Sequence, residues 1–175
     1  FGDIIIESLQ KDNIHTDFIV KDAEVGTGIA TPVIDADGNN SIIIIPRANM
    51  RLTVANVEKA ASAIAEADVL LLQLEVPIEP SKRAAEIAGE NSTVVILNPA
   101  PACQIPNEFL KFVDYLTPNE IETEMLTGVK VSDQSGAEQA ARVLLDKGMS
   151  AVVLTLGSRG TLLLTENTTV SVPAH

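Results

Sequence analysis

Two hydrophobic rhythms divide the chain. Near its start Ile5, Ile6 and Leu9 recur on one helical face behind Asp3, and the spacing predicts a helix over residues 3–11. Residues 16–22 and 27–35 are strand-like. Asp37-Gly38-Asn39-Asn40 is a strong turn signal, and the β-rich run Ser41 to Ile45 follows it, so this region predicts a hairpin or small sheet. After Pro46 the rhythm changes. Val54, Val57, Ala61, Ile64 and Ala65 are spaced three or four apart behind the N-cap candidate Thr53, which predicts one amphipathic helix over Thr53 to Ala67. There follow an apolar strand, Asp68 to Leu74; a helix, Pro80 to Gly89; a strand, Thr93 to Leu97; a short helix, Pro106 to Phe112; and a short strand, Tyr115 to Thr117. Asn119 to Leu126 and Ala137 to Lys147 read as helices that stop at Gly128 and Gly148. Ala151 to Leu156 and Thr161 to Leu164 are strands, and the chain leaves a further strand-like stretch at Ser171-Val172. Helices that alternate with strands apolar on both faces predict an α/β fold whose mainly parallel sheet is covered on both sides.

Composition narrows the function classes. The 175 residues fit one domain, with a second small one allowed, and 46% apolar content supplies a sizeable core. Acidic residues number 24 against 12 basic ones, a formal charge of −12 that repels phosphate backbones and anionic lipid. Nucleic-acid and membrane-surface partners are therefore discounted; a small anion held by backbone N–H groups is not. The single cysteine, Cys103, allows no internal disulfide, and His15 and His175 offer little for zinc. No apolar run is long enough to span a bilayer and no signal segment is present, so a cytoplasmic location is expected. The chain enters an apolar pattern directly at Phe1-Gly2-Asp3 and is expected to be an internal piece of a longer protein.

In open parallel sheets ligands bind beyond the carboxyl ends of the strands. Just past the apolar runs lie Gln73 and Glu75, then Asn98, then Asn119 and Glu122, then Thr155 to Gly160. The convergence of polar and glycine-rich residues at these ends points to a small-molecule site. Each group also has a plainer role. Asn119 and Glu122 read equally as a capping pair or as a phosphate and hydrated Mg²⁺ contact. Thr155-Leu156-Gly157-Ser158-Arg159-Gly160 reads as a turn between strands or as a glycine-permitted approach to a nucleotide. Glu75 reads as a solvated acid or as an acceptor for sugar hydroxyls. Asn98-Pro99-Ala100-Pro101-Ala102 stiffens a loop, Cys103 is a packed thiol, and His15 sits in an exposed connection. No Walker-type or GxGxxG phosphate loop and no serine nucleophile elbow is present.

Thr27-Gly28-Ile29-Ala30, Asp37 to Ile43 leading to Ala48-Asn49, Gln73-Leu74-Glu75, Asn98 to Ala102, Asn119-Glu120-Ile121-Glu122 and Val153 to Gly160 occur in an order that resembles the ribokinase branch of the PfkB-type carbohydrate and nucleoside kinases, over essentially the whole chain. The resemblance implies part of a three-layer α/β/α ribokinase-like fold with a small β-sheet lid: residues 1–15 opening the α/β domain, 16–46 forming the lid, and 47–175 an incomplete nucleotide-binding core. It implies that Glu75 contacts the sugar, that Asn119 contacts ATP, that Glu122 orders Mg²⁺ and its waters, and that Thr155, Leu156, Gly157, Ser158, Arg159 and Gly160 line the nucleotide.

Departures from the family pattern shape the functional expectation. No Asp-Thr-x-Gly-Ala-Gly-Asp element, which carries the catalytic base, occurs in these residues; it is expected beyond His175, so no catalytic residue is assigned here. The amino-terminal sugar motif is expected before Phe1, and Arg47 stands where the family has glycine. The expectation is a parent protein that phosphorylates a sugar hydroxyl with ATP and Mg²⁺, D-ribose to ribose 5-phosphate first, with K⁺ as a possible activator and this chain inactive alone. Alternatives are a fructokinase, ketodeoxygluconate kinase or nucleoside kinase of the same group, or a non-catalytic degenerate sugar-binding protein. The β-branched run Ile42 to Ile45 leaves apolar surface to cover, which predicts a homodimer through the lid.

Overall fold

The computed structural model describes residues 1–38 and 40–174; Asn39, part of the expected turn, and His175 lie outside the described residues. Helix α1 (Gly2–Lys11) leads into a two-stranded antiparallel sheet, β1 (Ile29–Ile34) with β2 (Asn40–Ile45), in a register that pairs Ile29 with Ile45. Residues 16–22, expected as a strand, are turn and irregular backbone. The Ile19 N–H donates to the Thr16 carbonyl (3.1 Å) in a turn, and the side chains at the end of this stretch bond locally. The Asp22 carboxylate accepts the N–H groups of Glu24 (2.8 Å) and Val25 (2.9 Å), and Lys21 donates to Asp3 on α1 (2.7 Å). Those two N–H bonds first, and then Arg51, hold the Asp22 carboxyl below the usual carboxylate range.

The expected single helix over Thr53 to Ala67 is two helices, α2 (Val54–Lys59) and α3 (Ala61–Glu66), broken at Ala60 (φ −96°, ψ 5°). Alanine is the best helix former, so local propensity does not break the chain there. Packing does. Val57 of α2 meets Ala84 and Ile87 of helix α4 (Ile78–Glu90), and Ile64 of α3 packs against the same cluster.

The main sheet runs β3 (Val69–Leu72), β4 (Val94–Leu97), β5 (Tyr115–Leu116), β6 (Ala151–Thr155), β7 (Thr161–Thr165) and β8 (Thr169–Val172), in chain order across the sheet. β3 to β6 are parallel, and β7 and β8 add antiparallel. The crossovers are α4, then α5 (Asn107–Leu110), then α6 (Glu120–Thr127) with α7 (Gln134–Leu145). Right-handed crossovers that always advance in one direction place their helices on one face. The burial follows. Val95, Leu97, Leu116, Val152, Leu154, Leu162 and Leu164 share that face and are buried with Phe109 and Leu110, while Ala137, Ala140 and Ala141 let α7 approach the sheet closely. On the other face Leu71 is 72% exposed and Val69 45%. The described residues thus form a six-stranded, mainly parallel sheet with its crossover helices packed on one face.

Candidate functional site

The parallel strands set the site's position, because their carboxyl ends lie along one edge of the sheet. β5 ends at Leu116, and after Thr117 and Pro118 the chain enters α6 on a full capping box at Asn119. Asn119 Oδ1 accepts the Glu122 N–H (2.9 Å), and Glu122 Oε2 accepts the Asn119 N–H (2.7 Å). Asn119 Nδ2 also donates to Glu122 Oε1 (3.0 Å). Glu122 is 5% exposed, and both its oxygens are engaged. The capping reading of this pair is therefore present in full. Two first-turn donors, the N–H groups of Glu120 and Ile121, are left without a partner among the described residues.

The neighbouring wall is the β6–β7 connection. Asn119 pairs with Thr155 in an isolated parallel bridge, and the Thr155 N–H donates to the Pro118 carbonyl (2.9 Å). The chain then turns through a short 3-10 segment, Gly157–Arg159, closed by Leu156 N–H to the Gly160 carbonyl (2.8 Å). Gly157 (φ +53°) and Gly160 (φ +90°) occupy left-handed backbone, for different reasons. A side chain at Gly160 would collide with the backbone of Val172 and Pro173, whereas one at Gly157 would meet only open space.

Between these walls lies a cavity of about 750 Å³, lined by the N-cap Asn119 with Glu120 and Ile121 of α6, by Thr155, Gly157, Gly160 and Thr161 at the β6–β7 connection, and by Val172, Pro173 and Ala174 at and after the end of β8. Of the residues singled out in the sequence, Asn119, Thr155, Gly157 and Gly160 meet here. Leu156 is a buried core side chain, Ser158 is exposed, and the Arg159 guanidinium is engaged with Glu120 and the Val131 carbonyl (2.8 Å to the latter). Glu122 lies under the cavity wall, not on it. The wall at Val172 to Ala174 is not among the residues the sequence singles out for the site, although the alternation Thr169-Val170-Ser171-Val172 ahead of Pro173 signals the strand that carries it.

Glu75 does not line that cavity. It follows β3 in a bend where its N–H donates to the Gln73 side-chain oxygen, and its half-buried carboxylate makes no bond among the described residues. Its neighbour Val76 lines a second cavity, about 550 Å³, between α1, residues 18–27 and the 48–56 segment. The charges there are paired: Lys21 with Asp3 and Arg51 with Asp22 (2.5 Å). Arg47, beside that cavity's Gly26, adopts left-handed backbone (φ +45°), the conformation a glycine would take there without strain. Cys103 packs against the core, and burial pushes its thiol up from the ordinary value.

The residues fit a nucleotide. Glycine-lined open backbone, unpartnered N–H donors and an apolar wall suit a phosphate chain attached to a flat base. Among the described residues no three His, Cys, Asp or Glu side chains cluster as a metal cage.

Comparison with known proteins defines the class. The family model for pfkB family carbohydrate kinases matches residues 1–175, and the chain belongs to that family. Within it the similarity runs to ribokinases. A Staphylococcus aureus ribokinase is 39% identical over 174 residues, 99% of this chain and 57% of that protein. A Salmonella typhi deoxyribokinase is 35% identical, covering 99% of this chain and 57% of the relative. The structure of Arabidopsis thaliana ribokinase complexed with ribose and ATP superposes with a TM-score of 0.87 at 29% identity, covering 98% of this chain and 57% of that one. The chain thus spans somewhat over half the length of these relatives.

Proposed function

We propose that the whole protein transfers a phosphoryl group to a hydroxyl of a pentose, with D-ribose as the first substrate and Mg²⁺-ATP as the donor. The observation that carries this reading is the cavity shared by Asn119, Thr155, Gly157 and Gly160 at the carboxyl edge of the sheet, in a chain of the carbohydrate-kinase family. When bound, ATP would supply the transferable phosphoryl group. In this chain the turn at Gly157–Gly160 receives the nucleotide and the Glu120 and Ile121 N–H groups meet its acceptors. Glu122, whose oxygens each keep a second lone pair, orients waters of a hydrated Mg²⁺. Glu75 accepts sugar hydroxyls with its unpaired carboxylate. Such chemistry rests on positioning and on stabilising spread negative charge.

Residues 16–46 serve as the lid over the sugar. Ile42 and Ile43, 58% and 59% exposed on β2, support a homodimer through it, which light scattering of the complete gene product checks. A cytoplasmic location and activation by K⁺ belong to the same reading. The similarity to a deoxyribokinase makes 2-deoxyribose the second substrate to weigh.

The test is ATP consumption by the complete gene product over ribose, deoxyribose, fructose, ketodeoxygluconate and nucleosides. The highest kcat/KM is expected with ribose. Absence of turnover with every acceptor would overturn the kinase reading in favour of a binding protein. The 175 residues alone, without the Asp-Thr-x-Gly-Ala-Gly-Asp element, are expected to give none.

A further inference from the structure

Arg159 sits in the glycine turn but does not line the cavity; its guanidinium reaches sideways. Nη2 donates to Glu120 on the first turn of α6 and to the carbonyl of Val131 (2.8 Å), so both of its protons are used. Val131 is itself fixed, since its N–H donates to Glu124 Oε1 (2.8 Å). One side chain therefore ties together the turn, the start of α6 and the loop ahead of α7. The turn needs such a tie. It is bounded by two left-handed glycines, the most conformationally free residues, and Gly157 has nothing within 4 Å of where a side chain would begin. Below the mouth the two walls are joined by the Asn119–Thr155 bridge, but towards the tip of the turn Arg159 and Glu120 make the side-chain link between them.

We propose that Arg159, through Glu120, is a positioning residue that holds the two walls of this cavity at the separation a nucleotide needs. A site ordered in advance binds without losing the freedom of its walls on each association. The inference rests on the nucleotide reading of the cavity and separates from it by experiment. A second role for Arg159, direct contact with phosphate, makes the opposite prediction for Glu120: removing an acid from the lip of an anion site would then leave affinity unchanged or improve it.

The experiment combines hydrogen exchange with ATP kinetics on the complete gene product carrying Arg159→Ala, Arg159→Lys, Glu120→Ala and the double change. Without nucleotide, Arg159→Ala and Glu120→Ala are each expected to speed amide exchange at residues 156–160 and 119–122. Each is expected to raise the KM for ATP about tenfold while the KM for the sugar stays put, and the double variant to be no worse than either. Arg159→Lys, with one ammonium for two acceptors, falls between. Additive losses, a silent Glu120→Ala, or lost ATP affinity with unchanged exchange would each overturn the clamp. Faster exchange in a protein that binds no nucleotide would keep the tie between the walls but refute both the nucleotide reading and the role assigned to the clamp.

Discussion

At the scale of single residues, two glycines three positions apart carry different burdens. Gly160 is required by collision as well as by backbone angle, since any side chain there meets the chain after β8. Gly157 is required by angle alone and faces the open cavity. Gly160→Ala is therefore expected to cost at least about 2 kcal/mol of stability. Gly157→Ala should cost about 1 kcal/mol, the penalty of a left-handed alanine, and should show its larger effect on nucleotide affinity. Denaturant unfolding of the two variants side by side checks the order, and equal losses would contradict it. The sequence shows both glycines but not which of them touches another segment, because that contact comes from residues 172–174.

At the scale of elements, the capping box of α6 is a structural device and the candidate ligand contact at once. Glu122→Ala removes the acceptor of the Asn119 N–H and is expected to lower stability by about 1 kcal/mol. Glu122→Gln, which keeps an oxygen for that N–H, should lose less stability yet weaken Mg²⁺ dependence; thermal melts beside a Mg²⁺ titration separate the two roles. The sequence made this box readable, since Asn and Glu three apart ahead of an apolar residue are a local signal. Most elements were legible in the same way, because strand and helix periods are local. What is not legible in this way is the break at Ala60, which no local propensity marks, and the irregular backbone of residues 16–22, which have strand composition but no strand beside them. Sequence order groups Glu75 with Asn119 and Gly157 because the parallel strands all end on one edge, but Glu75 is not among the residues that line their cavity, and its neighbour Val76 lines the second one.

At the scale of the molecule, strand order decides which apolar residues form the core. The apolar runs predict burial on both faces, yet monotonic right-handed crossovers put the crossover helices on one of them. Paired strands β3 and β4 thus hold Leu97, fully buried, and Leu71, 72% exposed, on opposite faces. Leu97→Ala is expected to cost about 2–5 kcal/mol, while Leu71→Ser should change the stability of the 175-residue chain by less than about 0.5 kcal/mol and reduce its aggregation. Chemical denaturation with turbidity measurements checks both, and a large loss from Leu71→Ser would mean that this face is covered. The same topology gathers the carboxyl ends of β5 and β6 around the cavity on which the functional account depends. Its most direct test is a calorimetric titration of the complete gene product with a non-hydrolysable ATP analogue and Mg²⁺, alongside Gly157→Val. The account predicts saturable binding by the unaltered protein and at least about tenfold weaker binding by the valine variant. No binding, or equal affinity in both proteins, would contradict it.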